Sequence, residues 1–402
     1  MAYFKVNLLS KAQDVPSRVL RINYGRGFFE TPIRVLNVHQ EGKILVSKGI
    51  SGIVEVYLRF NFRKLEELSD NYRRQEKFAQ RVRILISRYR AGNMVTLVPS
   101  VEDKPDSMPN MSPKDVGYYI ADLVCSPDVD LVTTPIFYRV NEKLIPQIIA
   151  GFLEATSALK TKIAFALPEV SRECKKELLH LYQEYLDRSD NLLTNFICMD
   201  YNGSNPISKH VDHNLLMRIV SALEGEYSER VVVYGLNIKY SKVGKKYDKI
   251  TARDLLAPYV GIDVVGSNHR RPVITREIAE TFRKVPYTEK KVLDVRRYLY
   301  INLERCTKER KDAKVKELIR ASCSGLISKK AFDVLLNTYN ASEYLIELYN
   351  VRRLIKEETK LYDYVTHKEG LVQDDTARRK MDKLIRSIVR HERRIDEYLE
   401  SS

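Results

Sequence analysis

Residues 129–169 read VDLVTTPIFYRVNEKLIPQIIAGFLEATSALKTKIAFALPE, and this stretch decides the fold that the sequence predicts. A β-branched apolar run at 129–137 is followed by residues of helical period at 141–160 and by a second apolar run at 162–169. Each run is almost continuously hydrophobic, as is typical of strands covered on both faces. The stretch therefore predicts a strand–helix–strand unit of a parallel sheet.

The same unit recurs along most of the chain. Eight apolar runs lie at 31–39, 53–60, 94–100, 129–137, 162–169, 195–203, 231–240 and 261–268. Helical patterns lie at 63–89, 113–125, 141–160, 171–188, 212–227 and 249–259. Eight strands with helices after most of them, though not between the first two, predict an α/β fold of the (β/α)8 TIM type, with an open doubly wound sheet as the alternative.

The pattern divides the chain into three parts. Residues 1–30 precede the first barrel strand and predict a hairpin around Gly25-Arg26-Gly27 that caps the amino-terminal end of the barrel. Residues 31–276 form the predicted barrel. Residues 277–402 lack a strand pattern and predict a basic α-helical domain, with helices at about 290–320, 328–359 and 373–400.

The charge of the chain favours an anionic partner. Its 402 residues carry 68 Lys and Arg against 53 Asp and Glu, a formal charge of +15. Residues 281–402 hold 28 basic and 20 acidic residues, and thus contribute +8 of this excess. Nucleic acid, either RNA or DNA, is the simplest such partner, although interleaved acids also fit a solvated, ion-paired surface.

Neither a membrane segment nor a metal motif is expected. No apolar run reaches the roughly 18–20 residues of a spanning helix, and the first residues lack a signal-peptide pattern, so a cytoplasmic location is expected. The five cysteines are scattered without a C-x-x-C spacing, which predicts no disulfide framework and no zinc knuckle. No cofactor is expected from these patterns.

Polar residues at the ends of the predicted strands are the candidate site. Asp200 ends an otherwise apolar strand, and Glu169 ends the strand before it. Carboxylates that converge at a barrel mouth suit general acid, general base or nucleophilic roles. Asp200 could equally cap the turn that follows it.

Other strand-end residues predict substrate and phosphate contacts. The candidate substrate-binding residues are Asn202, Gly203, Asn237 and Asn268. The candidate phosphate-binding residues, in the loops after the seventh and eighth strands, are Lys239, Lys242, Arg270 and Arg271.

Four histidines also fall at or just after predicted strand ends. They are His39, His210, His213 and His269. Imidazole and carboxylate groups at a barrel mouth would suit a zinc- or manganese-dependent hydrolase or nuclease, which is one alternative function.

Two segments resemble a known family. VLRINYGRGFFETP at 19–32 resembles the opening of tRNA-guanine transglycosylases, and residues 252–256 followed by Gly261-Ile262-Asp263 resemble the helix and eighth strand of that family. The resemblance implies a barrel that handles a nucleobase at its mouth. The chain departs from the family at the nucleophilic aspartate, where it has Gly266, and it lacks the three-cysteine, one-histidine zinc motif.

The resemblance therefore implies a diverged relative. It predicts a transglycosylase-like protein that binds nucleic acid and acts on a purine or 7-deazapurine base, with the acids relocated to positions such as Asp200 or Asp263. Such an enzyme would exchange bases as a pentosyltransferase. A catalytically silent nucleic-acid-binding or assembly subunit is the other alternative.

Overall fold

The computed structural model describes residues 4–37, 51–126, 128–159, 161–188, 193–227, 230–240, 248–270, 289–309, 317, 320 and 328–400. Ten short strands form one sheet. They are β4 (Ile33–Arg34), β5 (Leu36–Asn37), β6 (Ile53–Phe60), β7 (Met94–Glu102), β8 (Leu131–Thr133), β9 (Ile136–Tyr138), β10 (Ile163–Leu167), β11 (Leu193–Ser204), β12 (Val232–Ile238) and β14 (Val264–Val265).

The sheet is parallel and nearly closed. Its order is β4-β14-β12-β11-β10-β8-β7-β6-β5, and β9 pairs with β7 outside this path. Only Val35 separates β4 from β5, and its amide donates to the carbonyl of Val265 at 2.9 Å. The two ends of the order therefore meet within the first apolar run, and the result is a barrel-like sheet.

Helices follow most of the strands on the outside. They are α1 (Phe62–Ser69), α2 (Tyr72–Tyr89), α3 (Pro113–Val124), α4 (Ile145–Leu159), α5 (Arg172–Arg188) and α6 (His210–Tyr227). The single helix expected at 63–89 is two helices, because the Asn71 side chain accepts from the amide of Arg74 and caps a new helix. No helix among the described residues is long and apolar enough to cross a membrane.

Two hydrophobic layers lie on either side of the barrel wall. Inside, alternate strand residues such as Val98, Cys198 and Tyr234 pack with Leu20 and Phe29 of the amino-terminal segment. Outside, the opposite residues of the same strands pack against the helices. Burial on both faces explains why the strand sequences are almost continuously apolar.

The amino-terminal segment is a three-stranded antiparallel sheet rather than a single hairpin. Its strands are β1 (Lys5–Lys11), β2 (Arg18–Asn23) and β3 (Phe28–Glu30). Arg26, in the turn between β2 and β3, donates to the carbonyl of Arg90 at 2.7 Å and pairs with Asp130, just before β8. These contacts place the turn at the amino-terminal end of the barrel-like sheet.

Part of the helical prediction is wrong. Residues 291–302, expected as helix, form β15 (Lys291–Asp294) and β16 (Leu299–Asn302), and β16 also pairs with β13 (Lys249–Thr251). Residues 249–259, also expected as helix, contain β13 and two 3-10 turns. Apolar side chains such as Val292 and Ile301 are buried by this pairing, whose partners lie about fifty residues apart.

The remaining described residues of the carboxyl-terminal region are mostly helical. Its helices are α7 (Leu303–Glu309), α8 (Lys329–Lys356), α9 (Leu361–Thr366), α10 (Glu369–Gln373) and α11 (Asp375–Glu400). The side chain of Tyr344 on α8 is buried, and its hydroxyl donates to the carbonyl of Asp254 at 2.7 Å. Ser387 of α11 donates to the side chain of Asn214 on α6 at 2.8 Å, so both long helices contact the barrel part.

Candidate functional site

Asp200 lies at the carboxyl end of β11 and is almost fully buried. Its Oδ1 accepts from the side chain of Asn237 and from the amide of Asn202, each at 2.9 Å. Its Oδ2 is buried and has no hydrogen-bond partner among the described residues. Burial raises the pKa of Asp200, and hydrogen bonds from Asn237, the Asn202 amide and the Tyr138 hydroxyl, together with the charge of Lys209, partly offset this effect.

Asn237, at the end of β12, joins several strand ends. Its side-chain nitrogen donates to Asp200 and to the hydroxyl of Tyr138 at 2.8 Å, while its oxygen accepts from the amide of His269 at 2.8 Å. Asn237 and Asn202 both have positive φ, at 52° and 49°. Asparagine tolerates this backbone, and such residues are found at functional sites more often than elsewhere.

Asn202 also links Asp200 to Glu169. The Asn202 side chain donates to the Glu169 carboxylate, which forms an ion pair with Lys209 at 2.5 Å. Glu169 is more accessible than Asp200, with its side chain 39% exposed. The structure therefore brings together two of the three predicted catalytic carboxylates through one predicted substrate-binding residue.

A second buried carboxylate, Glu55, was missed by sequence reasoning. It accepts from the amide of Ser267 at 3.2 Å, from the hydroxyl of Tyr234, and contacts His269 Nε2 at 3.1 Å. A charged residue in the middle of the apolar strand IVEVYLRF is the signal that would have revealed it.

His269 is held in one tautomer by its neighbours. The side-chain nitrogen of Asn37 lies 3.2 Å from Nδ1 of His269 and can only donate, so Nδ1 accepts and Nε2–H points to Glu55. Tyr57 stacks on the imidazole at a centroid distance of 3.7 Å. This arrangement leaves neither ring nitrogen of His269 open for a metal ion.

Gly266 explains why Glu55 fits there. A Cβ at Gly266 would lie 2.5 Å from Glu55 Oε1 and 2.6 Å from the carbonyl oxygen of Gly235. Gly266 is the position at which the resemblance places a nucleophilic aspartate. In this chain the space beside that position is occupied by a carboxylate from a different strand.

Cations surround the opening of this polar cluster. The guanidinium of Arg270 lies 3.9 Å from the ring centroid of Tyr138, and it is 3.5 Å from a carboxylate oxygen of Glu102. Asn268 accepts from the amide of Arg270 at 3.2 Å and lies next to Gly203, where a Cβ would be 3.4 Å from its oxygen. We call Arg59, Lys64, Lys239 and Arg270 the cationic rim, since all four line one cavity there.

Asp263, the third predicted catalytic residue, lies at the opposite end of the barrel. It directly precedes β14, accepts from the amide of Val233 at 2.9 Å, and forms an ion pair with Arg18 at 2.9 Å. Because both contacts are at the amino ends of the strands, Asp263 does not share the mouth with Asp200. The expectation that it does is corrected, since its carboxylate holds the amino-terminal sheet in place.

Of the four predicted histidines, the structure describes His210, His213 and His269, and these three do not gather. His213 is buried outside the barrel wall, where its Nδ1 contacts the Tyr201 hydroxyl at 2.6 Å and its Nε2 contacts the Val260 carbonyl at 2.7 Å. His210 begins α6. Three predicted residues, His39, Lys242 and Arg271, lie outside the described residues. Among the described residues, no group of three or more His, Cys, Asp or Glu is placed to hold a metal ion.

No protein-family model matches the chain, and no curated protein matches it either. The functional interpretation therefore depends on the chemistry of the site itself.

Proposed function

We propose that the protein is a transglycosylase-like nucleic-acid-binding protein, with a (β/α)8 barrel of the TIM type that acts on a purine or 7-deazapurine base. The observation that carries this proposal is the unpaired, buried Oδ2 of Asp200. Leaving such an atom without a partner costs about 1–3 kcal/mol, so a ligand that hydrogen-bonds to it is favoured. The ring and exocyclic nitrogens of a purine-type base supply such a partner.

Asp200 and Glu169 divide the chemistry in this proposal. Glu169 forms a bond to the sugar carbon as the bond from that carbon to the base breaks, and the electron pair leaves with the base. Asp200, a buried carboxyl whose pKa is raised by desolvation, donates a proton to the departing base in this proposal. An incoming base then displaces Glu169 and returns its proton to Asp200.

The cationic rim supports a polynucleotide as the substrate rather than a free base. Arg270 and Lys239, two of the predicted phosphate-binding residues, both belong to it. Helix α11 adds a further row of exposed cations, namely Arg378, Arg379, Lys383, Arg386 and Arg390. Arginine and lysine side chains contribute most of the sequence-independent affinity for phosphate backbones. A cytoplasmic location is consistent with such a substrate.

Binding and base exchange test the proposal separately. Fluorescence anisotropy with labelled RNA and DNA oligonucleotides should show binding that weakens as salt increases, because bound cations are released from the backbone. Arg270→Gln should weaken binding and reduce the salt slope by about one. No binding to either nucleic acid would refute the proposal.

Incorporation of radiolabelled guanine or 7-deazaguanine into the bound oligonucleotide tests the chemistry. Asp200→Asn should reduce incorporation at least 100-fold, with oligonucleotide affinity changed less than threefold. Glu154→Gln, which changes an exposed carboxylate on α4, is the matched control and should leave incorporation unaltered. Salt-dependent binding without incorporation by the wild type would instead identify a silent binding subunit.

A further inference from the structure

A cavity of about 690 Å³ lies between the mouth of the barrel-like sheet and the carboxyl-terminal helices. The barrel side is formed by residues at the ends of β6, β12 and β14, such as Arg59, Lys239 and Asn268. The other side includes Tyr300 of β16 and Asn337 of α8. Asp200 is not among the described lining residues, so the cavity adjoins the base site without containing its carboxylate.

The cavity is strongly cationic. Its described lining residues include one carboxylate, Asp254, and a larger set of cations, namely Arg34, Arg59, Lys64, Lys239 and Arg270. Burial lowers the pKa of Lys239, as expected for a cation taken from water without a compensating carboxylate. An anionic group in the cavity would relieve this cost, which favours a phosphate-bearing ligand.

Asp254 gives the other side of the cavity a hydrogen-bond acceptor. Its Oδ2 accepts from the Tyr300 hydroxyl at 2.8 Å, whereas its Oδ1 is buried and has no hydrogen-bond partner among the described residues. The residue is only 7% exposed. Burial raises the pKa of Asp254 to about 6, against the Tyr300 hydrogen bond and the charge of Arg34, so the carboxylate is ionised above neutral pH.

Aromatic rings form part of the same walls. Tyr240 stacks on Tyr300 with ring centroids 4.1 Å apart, and the guanidinium of Arg34 lies 5.3 Å from the ring centroid of Tyr344. Flat aromatic walls favour a planar heterocycle. The volume is also within the range of about 300–1,000 Å³ that is typical of small-molecule sites.

We propose that this cavity binds one nucleotide, with its phosphate on the cations and an N–H group of its base donating to Asp254. The proposal rests on the proposed function, because it assigns the cavity to the nucleotide that neighbours the one whose base enters the mouth. The carboxyl-terminal region would thereby contribute directly to substrate binding, through Tyr300 and Asn337.

Titration calorimetry with two small probes tests this assignment. Guanosine 5′-monophosphate has a base with N–H donors, and ribose 5-phosphate has the phosphate alone. Wild-type protein should bind the nucleotide at least tenfold more tightly, since a hydrogen bond to a buried charged group is worth about that factor or more. Equal affinity for the two probes would overturn the proposal.

Two isosteric variants test which carboxylate makes the protein bind the nucleotide more tightly than ribose 5-phosphate. Asp254→Asn should reduce the preference for the nucleotide to less than threefold without weakening ribose 5-phosphate binding, whereas Asp200→Asn should preserve the preference. If Asp200→Asn removes the preference and Asp254→Asn preserves it, the nucleotide binds at the mouth and the proposal is overturned. If Asp254→Asn does not fold, Asn337→Trp fills the cavity from α8 and should weaken nucleotide binding at least tenfold; unchanged affinity would overturn the proposal.

Failure of this proposal is distinguishable from failure of the proposed function. If the Asp254→Asn variant binds oligonucleotides and incorporates base to the same extent as the wild type, the cavity assignment is refuted and the proposed function stands. Absence of salt-dependent oligonucleotide binding by the wild type refutes the proposed function first.

Discussion

His213 provides a stability prediction that depends on a single buried side chain. It is fully buried, and both ring nitrogens have partners that fit the neutral form, since Nε2–H donates to the Val260 carbonyl and Nδ1 accepts from Tyr201. Burial lowers the pKa of His213 from 6.5 to about 4, against the opposing effect of the Val260 hydrogen bond. The folded state therefore resists protonation of this group.

The direction and size of the pH effect on stability follow from the linkage between proton binding and folding. Between pH 6.5 and 4 the unfolded chain binds a proton at this position that the folded chain does not, so stability falls as the pH decreases. At 1.36 kcal/mol per pKa unit, His213 alone removes about 3 kcal/mol of stability across this range. Above pH 6.5 the imidazole is neutral in both the folded and the unfolded chain, so none of this stability is lost there.

Asp254 acts in the opposite direction over nearly the same range. Its pKa is raised from 3.8 to about 6, chiefly by burial, so the folded chain binds the extra proton and gains stability as the pH falls from 6 to 3.8. This gain is also about 3 kcal/mol. The two groups thus nearly cancel in the wild type, and only variants separate them.

The experiment compares His213→Gln with the wild type by urea unfolding from pH 7.5 to 4. At pH 7.5 the variant should be less stable by about 1–3 kcal/mol, because buried hydrogen bonds are lost. That deficit should shrink by about 3 kcal/mol at pH 4, since the variant has no group to protonate there. A deficit that stays constant with pH would refute the assignment of a neutral, buried imidazole.

Three further substitutions test the packing and the site placement. Gly266→Ala forces a methyl group against Glu55 and should lower stability by about 1–3 kcal/mol, which thermal unfolding measures; an unchanged Tm would mean that Glu55 lies elsewhere. Gly117→Ala places a Cβ 2.0 Å from a carbonyl oxygen of α4 and should push α3 away from α4. Limited proteolysis should then cleave these two helices faster than in the wild type. An unchanged rate of cleavage would contradict the close crossing of the two helices. Arg18→Met leaves Asp263 buried without its ion pair and should cost roughly 3–5 kcal/mol in urea unfolding. A small loss there would argue against a structural role for Asp263.

The sequence predicts those helices and strands whose hydrophobic period and boundaries both lie within one short segment of the chain. The strand at 163–167 and the helix at 145–159 both lie within the stretch that begins at residue 129, and each has its own period and boundaries. Asp200 was also accessible to this reasoning, because an acid at the end of an apolar strand is visible in the sequence alone.

Contacts between distant segments account for the errors. The hairpin at 291–302 contains residues that also suit a helix, and its pairing with β13 decides in favour of strands. Glu55 looked like an isolated charge because its partners His269 and Ser267 are more than 200 residues away. The apolar residues on both sides of Glu55 indicate that it is buried, but only the tertiary structure shows which groups it contacts.

The alternation of apolar runs and helical segments by itself determined an α/β chain with a parallel sheet, because each strand must be covered on both faces. The tertiary structure decided which acids face the mouth. Asp200 lies near the carboxyl end of β11 and Asp263 directly precedes β14, so the nearly closed sheet places the two carboxylates at opposite ends. Arg18, 245 residues from Asp263 in the chain, then binds that carboxylate, and only folding brings the two together.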